Sequence, residues 1–390
     1  MDGVIGQGPL FLACLVFLMG IVVVVHELGH YLAGRAFGVA VESFSVGFGR
    51  SVFERRDRSG TRWRINWIPL GGFVAFADKR SLEEAAGQGQ PAEISGIAFD
   101  ELGPLKKIVI SLAGPFANFV LAAMIYALSF GVNGVAVQTV QVAATLPGTP
   151  AERAGILAGD RILEVGGKAI LNSSDVTIAV MLSPNTPLEL RLERAGEPIS
   201  LTVIPEEVVR DNQLGQRVAQ STIGIQMMTT ASPEPLRYGP GQAVVAGVQE
   251  TGIAIERTVT MLGRIVTGNM SFHTLSGPVG IGDVSRRVVN TVMDRPDVPL
   301  PDRLERLFWV LLGLCAAISV GVGFFNLLPL PVLDGGRVVF HAYEALVGSR
   351  MPGQIEAMAL RVGVFVLVAM VIAITWGDIL ETGVFDRGPS

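Results

Sequence analysis

The pentapeptide His26-Glu27-Leu28-Gly29-His30 carries the clearest chemical signal in the sequence. On an α-helix, residues four positions apart share a face, so both imidazoles can bind one metal ion. The glutamate lies beside that ion and can act as a general base towards water. The pattern predicts a catalytic zinc site, because structural zinc sites favour four Cys or His ligands without an adjacent base.

Two histidines need at least one more protein ligand to hold zinc with an open catalytic position. The candidate is Asp334, in the segment Asn326-Leu327-Leu328-Pro329-Leu330-Pro331-Val332-Leu333-Asp334-Gly335-Gly336. Its prolines break the preceding helix and its glycines allow a tight reversal. The alternative for Asp334 is a turn or helix-capping aspartate. His273 and His341 are isolated in the sequence and are not expected to bind the metal.

The composition predicts a membrane protein. Of 390 residues, 49% are hydrophobic and only 17% are charged, and the mean hydropathy is +0.49. Four apolar stretches approach the roughly 20 residues that cross a bilayer: Pro9–Val25, which continues through the HELGH pentapeptide, Ile108–Phe130, Leu307–Phe325 and Ala357–Trp376. The first has no basic residue before it, so we expect a retained helix rather than a signal peptide. The net charge of -5 does not indicate a nucleic-acid partner.

The segment between the first two spans predicts β structure. Two short strands, Ser51–Asp57 and Thr61–Trp67, flank a glycine turn and continue into the apolar, glycine-rich stretch Ile68–Val74. We expect a β region at the membrane interface, with a plain solvated hairpin as the alternative. Residues 79–102 are polar and predict a loop.

Residues 136–229 have the composition of a small β-rich domain. The motifs Ala154-Gly155-Ile156 and Gly159-Asp160-Arg161-Ile162, followed by alternating strands, fit the pattern of a PDZ domain. Such a domain binds an extended peptide as an added strand. Residues 241–275 predict an amphipathic helix, either on the outer membrane surface or packed on the β-rich domain.

These elements predict a polytopic α-helical membrane protein with four transmembrane helices, an interface β region and an inserted periplasmic PDZ domain. The expected boundaries are 1–35 for the first transmembrane helix, 36–107 for the cytoplasmic-side β region and loop, 108–135 for the second transmembrane helix, 136–229 for the PDZ domain, 230–306 for a periplasmic amphipathic helix region, 307–356 for the third transmembrane helix and its cytoplasmic loop, and 357–390 for the fourth transmembrane helix and tail.

A first-helix His-Glu-x-x-His and a later Asn-x-x-Pro-x-Pro-x-Leu-Asp-Gly, on four hydrophobic spans, resemble the site-2 protease family of intramembrane zinc proteases. The stretch Leu112–Asn118 fits the Gly-x-x-x-Asn element of that family. Ser276–Ile281 is similar to the bacterial RseP-type branch, whose members cleave anti-sigma factors. The resemblance covers nearly the whole chain, but many members of that branch carry two PDZ domains, whereas this chain shows one.

The resemblance implies three ligands for one Zn2+ ion: His26, His30 and Asp334. It implies that Glu27 is the catalytic base. Four positions would contact substrate: Asn326, Pro331, Gly72 and Asn118. The strands between Val46 and Phe76 would match the membrane-reentrant β region of the family. The implied substrates are single-pass membrane proteins such as anti-sigma factors, cut inside the bilayer after an upstream site-1-type protease has trimmed them.

Two other functions remain open. A membrane-anchored zinc protease acting on soluble or misfolded proteins would carry its HExxH motif in a water-soluble domain, whereas here the motif ends a hydrophobic span. A non-catalytic PDZ membrane scaffold would not need Glu27 between the two histidines.

Basic residues indicate the orientation of the chain. Eleven Lys and Arg lie between Arg35 and Lys107, whereas the C-terminal tail has only Arg387. Because basic residues concentrate on the cytoplasmic side, both termini should lie outside. The HELGH motif should then lie near the cytoplasmic side, with the PDZ domain outside. The resemblance to the bacterial branch implies that the membrane is a bacterial inner membrane and that the outer side is the periplasm.

Cysteine labelling checks this orientation. After Cys14 and Cys315 are replaced by alanine, single cysteines are introduced at Ser59 and Asn172. We expect an impermeant maleimide to label position 172 in intact spheroplasts, and to label position 59 only after permeabilisation. The opposite pattern would reverse the predicted topology.

Overall fold

The computed structural model describes residues 2–87, 94–135, 137–211, 217–231, 236–267, 289, 291–293, 295 and 297–381. His273 and the stretch Ser276–Ile281 lie outside these residues. The chain divides into two compact units. One comprises Met1–Leu128, Val244–Thr258 and Phe272–Ser390, and the other comprises Ser129–Ala243 and Val259–Ser271.

Four helices in the described part of the first unit are long and apolar enough to cross a membrane. They are α1 (Asp2–Ala36, with its apolar span from Val16), α3 (Pro104–Val132), α7 (Leu300–Asn326) and α9 (Gly353–Glu381). The four predicted stretches are confirmed as long apolar helices, and each helix continues several residues beyond the predicted stretch. Long apolar segments favour helices here because lipid cannot satisfy backbone N–H and C=O groups.

Helices α1, α3 and α7 share an apolar core. Its buried members are Leu18, Val22, Ala122, Ile125, Cys315, Ala316 and Val320. Glycine lets the helix backbones approach closely: a Cβ at Gly29 of α1 would lie 2.3 Å from the Ala113 carbonyl oxygen of α3. A Cβ at Gly323 of α7 would lie 3.0 Å from the Pro115 carbonyl oxygen. Small residues at these contacts allow close packing between apolar helices.

Strands β1 (Val41–Arg56) and β2 (Arg62–Phe76) form a sheet to which each strand contributes two paired segments. Residues 43–46 of β1 pair with residues 62–65 on one side and with residues 72–75 on the other. Residues 53–56 pair with residues 62–65 as well. Both strands therefore fold back, giving four side-by-side segments with residues 72–75 at one edge. Strand β1 bends at Gly47, whose φ of 82° favours glycine. A side chain there would collide with the Ile68 carbonyl.

Two helices of the first unit lie outside the predicted elements. Helix α2 (Lys79–Gly87) and a 3₁₀ turn at Phe99–Glu101 lie within residues 79–102, so a wholly irregular loop was a wrong prediction there. Helix α8 (Asp334–Val347) follows the proline-rich segment, and its N-cap is Leu333. The sequence predicted only a cytoplasmic loop at the position of α8.

Helix α6 (Pro240–Val266) confirms the predicted helix and agrees in part with its predicted packing on the β-rich domain. Its last turns belong to the second unit, where Arg264 donates a hydrogen bond to the Met181 carbonyl. Its middle part, Val244–Thr258, belongs to the first unit. There Ala254 and Ile255 pack against the shared core of α1, α3 and α7. A Cβ at Gly247 would lie 2.4 Å from the Ala123 carbonyl oxygen of α3. Small residues thus let this stretch dock against a membrane-spanning helix, which the amphipathic pattern alone did not indicate.

The second unit is rich in β structure. Its strands are β3 (Gln138–Thr145), β4 (Arg161–Val165), β5 (Lys168–Ala169), β6 (Leu188–Arg194), β7 (Glu197–Val203), β8 (Glu206–Asp211), β9 (Arg217–Thr222) and β10 (Ile225–Ala231). It also contains two short helices, α4 (Pro150–Arg153) and α5 (Ser173–Met181). The main sheet has the order β10-β3-β4-β6-β7, with β5 paired to β4, and β8 and β9 form a separate hairpin.

An ion pair with a buried carboxylate stabilises a turn of this unit. Asp160 is 1% exposed, and its carboxylate accepts hydrogen bonds of 2.7 Å from Arg194. Burial alone would raise the pKa of Asp160, but the bonds from Arg194 and from the Leu157 N–H hold that pKa below its usual value. The Gly-Asp motif recognised in the sequence is therefore a structural turn.

The close contact of α1 with α3 predicts opposite outcomes for two identical substitutions in α1. Gly29→Ala places a methyl group against the Ala113 carbonyl, so the helices must separate and stability should fall by about 1–3 kcal/mol. Gly20→Ala meets no heavy atom within 4 Å and should be neutral or slightly stabilising. Thermal unfolding in detergent measures both. Equal melting temperatures for the two variants would contradict the packing described here.

Candidate metal centre and active site

Three side chains from α1 and α8 converge on one point. Nε2 of His26 lies 3.0 Å, and Nε2 of His30 lies 3.2 Å, from Oδ2 of Asp334. The two Nε2 atoms are 3.2 Å apart, and both histidines are buried. The structure thus brings together all three residues predicted as ligands, although Asp334 lies 308 positions from His26. Asp334 faces the histidines instead of capping a helix, which argues against the alternative given above.

The triangle of donor atoms fits a zinc ion. Bonds of about 2.0–2.1 Å at tetrahedral angles place neighbouring ligand atoms roughly 3.3 Å apart, close to the separations observed. The hydrogen bonding of His30 is also compatible with metal binding through Nε2. Its Nδ1 lies 2.7 Å from the Ile110 carbonyl oxygen, which can only accept a hydrogen bond. In the neutral ring, Nδ1 therefore carries the proton and the lone pair of Nε2 points into the triangle. Lone pairs and a carboxylate this close repel each other unless a cation lies between them.

Asn118 of α3 supports His26 from behind. Its amide nitrogen lies 3.2 Å from Nδ1 of His26, and its amide oxygen is buried without a hydrogen-bond partner. If Nε2 of His26 binds the metal, Nδ1 must carry the proton and needs an acceptor. Rotating the amide by 180° supplies that acceptor and satisfies the buried oxygen. Asn118 is fully buried, so its geometry favours orienting a ligand, and the predicted contact with substrate stays a prediction.

A cavity of about 720 Å³ opens on the metal centre. The ligands, the predicted base and three of the four predicted substrate positions line it: His26, Glu27, His30, Asp334, Gly72, Asn326 and Pro331. The sheet edge lies beside the base, since a Cβ at Gly72 would lie 3.4 Å from Cγ of Glu27. Phe73 and Val74 of the same edge line the cavity as well. The arrangement can hold a water, a base and an extended chain next to a metal ion.

Two glycines that were not among the predicted site residues shape the centre. A Cβ at Gly114 of α3 would lie 2.3 Å from Nε2 of His30, and one at Gly336 of α8 would lie 2.2 Å from the Leu330 carbonyl oxygen. Any side chain at Gly114 would therefore push His30 out of position. The signal was present in the sequence, because Gly114 and Asn118 are the two fixed positions of the Gly-x-x-x-Asn element.

His341 lies near the centre without joining it. It lines the same cavity, but the metal-binding cluster in the described residues consists of His26, His30 and Asp334. Its Nδ1 lies 3.6 Å from Glu344. Burial, followed by the nearby Lys107 ammonium, lowers the pKa of His341, which keeps the ring neutral at physiological pH.

Replacing Asn118 tests its role as the support of His26. Asn118→Leu removes the acceptor for Nδ1, and zinc affinity should fall about 10–100-fold, as it does when other outer partners of metal ligands are lost. Asn326→Leu makes the same change at a cavity residue with no such bond and should leave zinc affinity unchanged. Competition with a chelator measures both constants. Equal affinities would contradict the assignment.

Comparison with known proteins agrees with this geometry. The chain is 33% identical to a protein of Agrobacterium fabrum named "Putative zinc metalloprotease", over 93% of this chain and 94% of the relative. It is also 33% identical to Metalloprotease MmpA of Caulobacter vibrioides, over 96% of this chain and 97% of the relative. Among solved structures, the PDZ domain of an SdrC-like protein from Listeria monocytogenes covers 23% of this chain and 86% of its own, with 18% identity. Its TM-score of 0.19 assigns no fold to the second unit.

The family model for peptidase family M50 matches residues 14–370, which include every predicted ligand and the predicted base. The two relatives match over nearly their full lengths. The chain therefore belongs to peptidase family M50, the site-2 protease family, and is a zinc metalloendopeptidase with several membrane spans.

Proposed function

We propose that this protease uses one zinc ion to cut peptide bonds inside the transmembrane segments of single-pass membrane proteins. The observation that carries the proposal is the position of the metal centre within a helix that can span the bilayer. His26 and His30 lie in the span Val16–Ala36. At 1.5 Å per residue they are about 15 and 9 Å from the end of α1, at a depth that a substrate helix in the membrane can reach.

The residues of the chain can perform the hydrolysis. Zinc, when bound by His26, His30 and Asp334, supplies Lewis acidity next to the scissile carbonyl. Glu27 accepts a proton from the attacking water and passes it to the departing amide nitrogen. Glu27 lines the same cavity as the three ligands, so its carboxylate can reach a water molecule held there.

The free edge of β2 offers a way to hold the substrate. A transmembrane helix hides its peptide bonds in internal hydrogen bonds, so it must unwind locally before cleavage. Within the described residues, no strand pairs with the outer side of residues 72–75. An unwound substrate segment added there as a strand would regain backbone hydrogen bonds and lie beside Glu27. Asn326 and Pro331, on the same cavity, would hold that segment near the metal.

The remaining features suggest a place in regulated intramembrane proteolysis. We assign the active site to the cytoplasmic side of a bacterial inner membrane and the second unit, as a PDZ domain, to the periplasm. There it would select substrates already trimmed by an upstream site-1-type protease, with anti-sigma factors as the substrate class. The basic segment between α1 and α3 supports this orientation. A protease for soluble proteins is less well supported, because the ligands lie on a membrane-spanning helix.

Two variants separate metal binding from catalysis. Glu27→Gln should retain zinc and lose cleavage by at least about 10³-fold, because an amide cannot accept the proton. Asp334→Ala should lose both zinc and cleavage, because two histidines alone hold zinc poorly. Metal analysis and cleavage of a reconstituted single-pass substrate decide this. Near-normal turnover by Glu27→Gln would overturn the role of the base.

The Glu27→Gln protein also identifies the substrate class. It should trap uncut substrates, and mass spectrometry of the captured proteins should find single-pass membrane proteins with trimmed external parts. Capture of soluble proteins instead would favour the alternative function.

A further inference from the structure

We infer that the ion pair between Lys107 and Glu344 positions helix α8, and through it the metal ligand Asp334. Nζ of Lys107 lies 3.0 and 3.2 Å from the two carboxylate oxygens of Glu344. Lys107 is only 2% exposed. The inference rests on Asp334 as a zinc ligand, and neither residue of the pair touches the reacting atoms.

The position of Lys107 requires a counter-ion for its charge. It lies in the first turn of α3, where the helix dipole disfavours a positive charge. A buried ammonium without a counter-ion is costly, so Lys107 stabilises only conformations in which Glu344 is in place. Burial alone would raise the pKa of Glu344, but the hydrogen bond and charge of Lys107 lower it, so the carboxylate stays ionised. The pair thus selects one placement of the end of α8 against α3.

Helix α8 links this ion pair to the metal centre as a rigid element. Asp334 is its first residue, and Glu344 lies ten residues further on, about 15 Å along the axis. Asp334, His341 and Glu344 are spaced at helical intervals that put them on one face. A rotation of α8 that moved Glu344 away from Lys107 would therefore also turn Asp334 away from the histidines.

The other end of this linkage is the histidine pair. Nδ1 of His30 donates to the carbonyl of Ile110, one turn after Lys107 on α3. One stretch of α3 therefore sets both His30, directly, and Asp334, through α8. Arg350 strengthens the attachment: its Nε lies 3.6 Å from Glu344, and its guanidinium donates to the backbone carbonyl of Asp100.

The test measures metal binding by the full-length protein in detergent, using only the folded, monodisperse fraction. Glu344→Gln should weaken zinc at least about tenfold and change the visible d–d spectrum of the cobalt-substituted protein, because Asp334 is no longer held in place. Glu193→Gln serves as the matched control. It removes a carboxylate from the exposed Arg161–Glu193 ion pair of the second unit and should change neither property.

A double variant separates positioning from simple stabilisation. Lys107→Met combined with Glu344→Met removes both charges, so the melting temperature should return close to that of wild type. Apolar contacts do not fix the rotation of α8, so zinc affinity and the cobalt spectrum should stay altered. If the double variant recovers wild-type zinc affinity and a wild-type cobalt spectrum, the positioning role is overturned. A Glu344→Gln protein with zinc affinity within twofold of wild type would overturn it as well. A wild-type protein that binds no zinc would instead overturn the proposed function.

Discussion

Polar ligands inside a membrane protein need protein partners for every remaining donor and acceptor, because lipid offers none. His30 uses the carbonyl of Ile110, and His26 uses the amide of Asn118. The backbone carbonyl of Asn118 in turn accepts a hydrogen bond from Ser319 of α7. Satisfying the two imidazoles therefore fixes the mutual positions of α1, α3 and α7, and the metal centre and the helix packing depend on each other.

Helix α3 is the common support of this arrangement. Lys107, Ile110, Gly114 and Asn118 follow one another at intervals of three and four residues, so they lie on one face. Along that face Lys107 binds Glu344 of α8, and the Ile110 carbonyl accepts a hydrogen bond from His30. Gly114 leaves space for the His30 ring, and Asn118 contacts His26. Pro115 lacks an N–H and lies in the middle of this stretch, where a regular helix would have one more internal hydrogen bond. The chemistry assigned to α1 and α8 is thus organised by a helix that contributes no ligand.

The sequence predicted the parts of this protein that follow from strong local rules. The four spans are long apolar runs, and His26, Glu27 and His30 follow from helical spacing. Asp334 was identified because an acidic residue after a broken helix suggests a ligand. Features that depend on distant contacts were missed or misread. Helix α8 was taken for a connection, since its polar face makes sense only opposite Lys107. The fold-back of β1 and β2 depends on pairing that a linear pattern of alternation does not contain.

Because β1 and β2 both fold back, the sheet ends in a free edge formed by residues 72–75. The surface that would hold a substrate is therefore made of different residues from those that would bind the metal. Residues 72–75 lie beside Glu27 at the edge of a sheet whose strand β1 reverses near Gly47. A compound shaped like an extended peptide could occupy this edge and block the enzyme without chelating zinc. Such an inhibitor would avoid the poor selectivity of metal-binding drugs, because it would recognise the backbone of one strand in place of an ion shared by many enzymes.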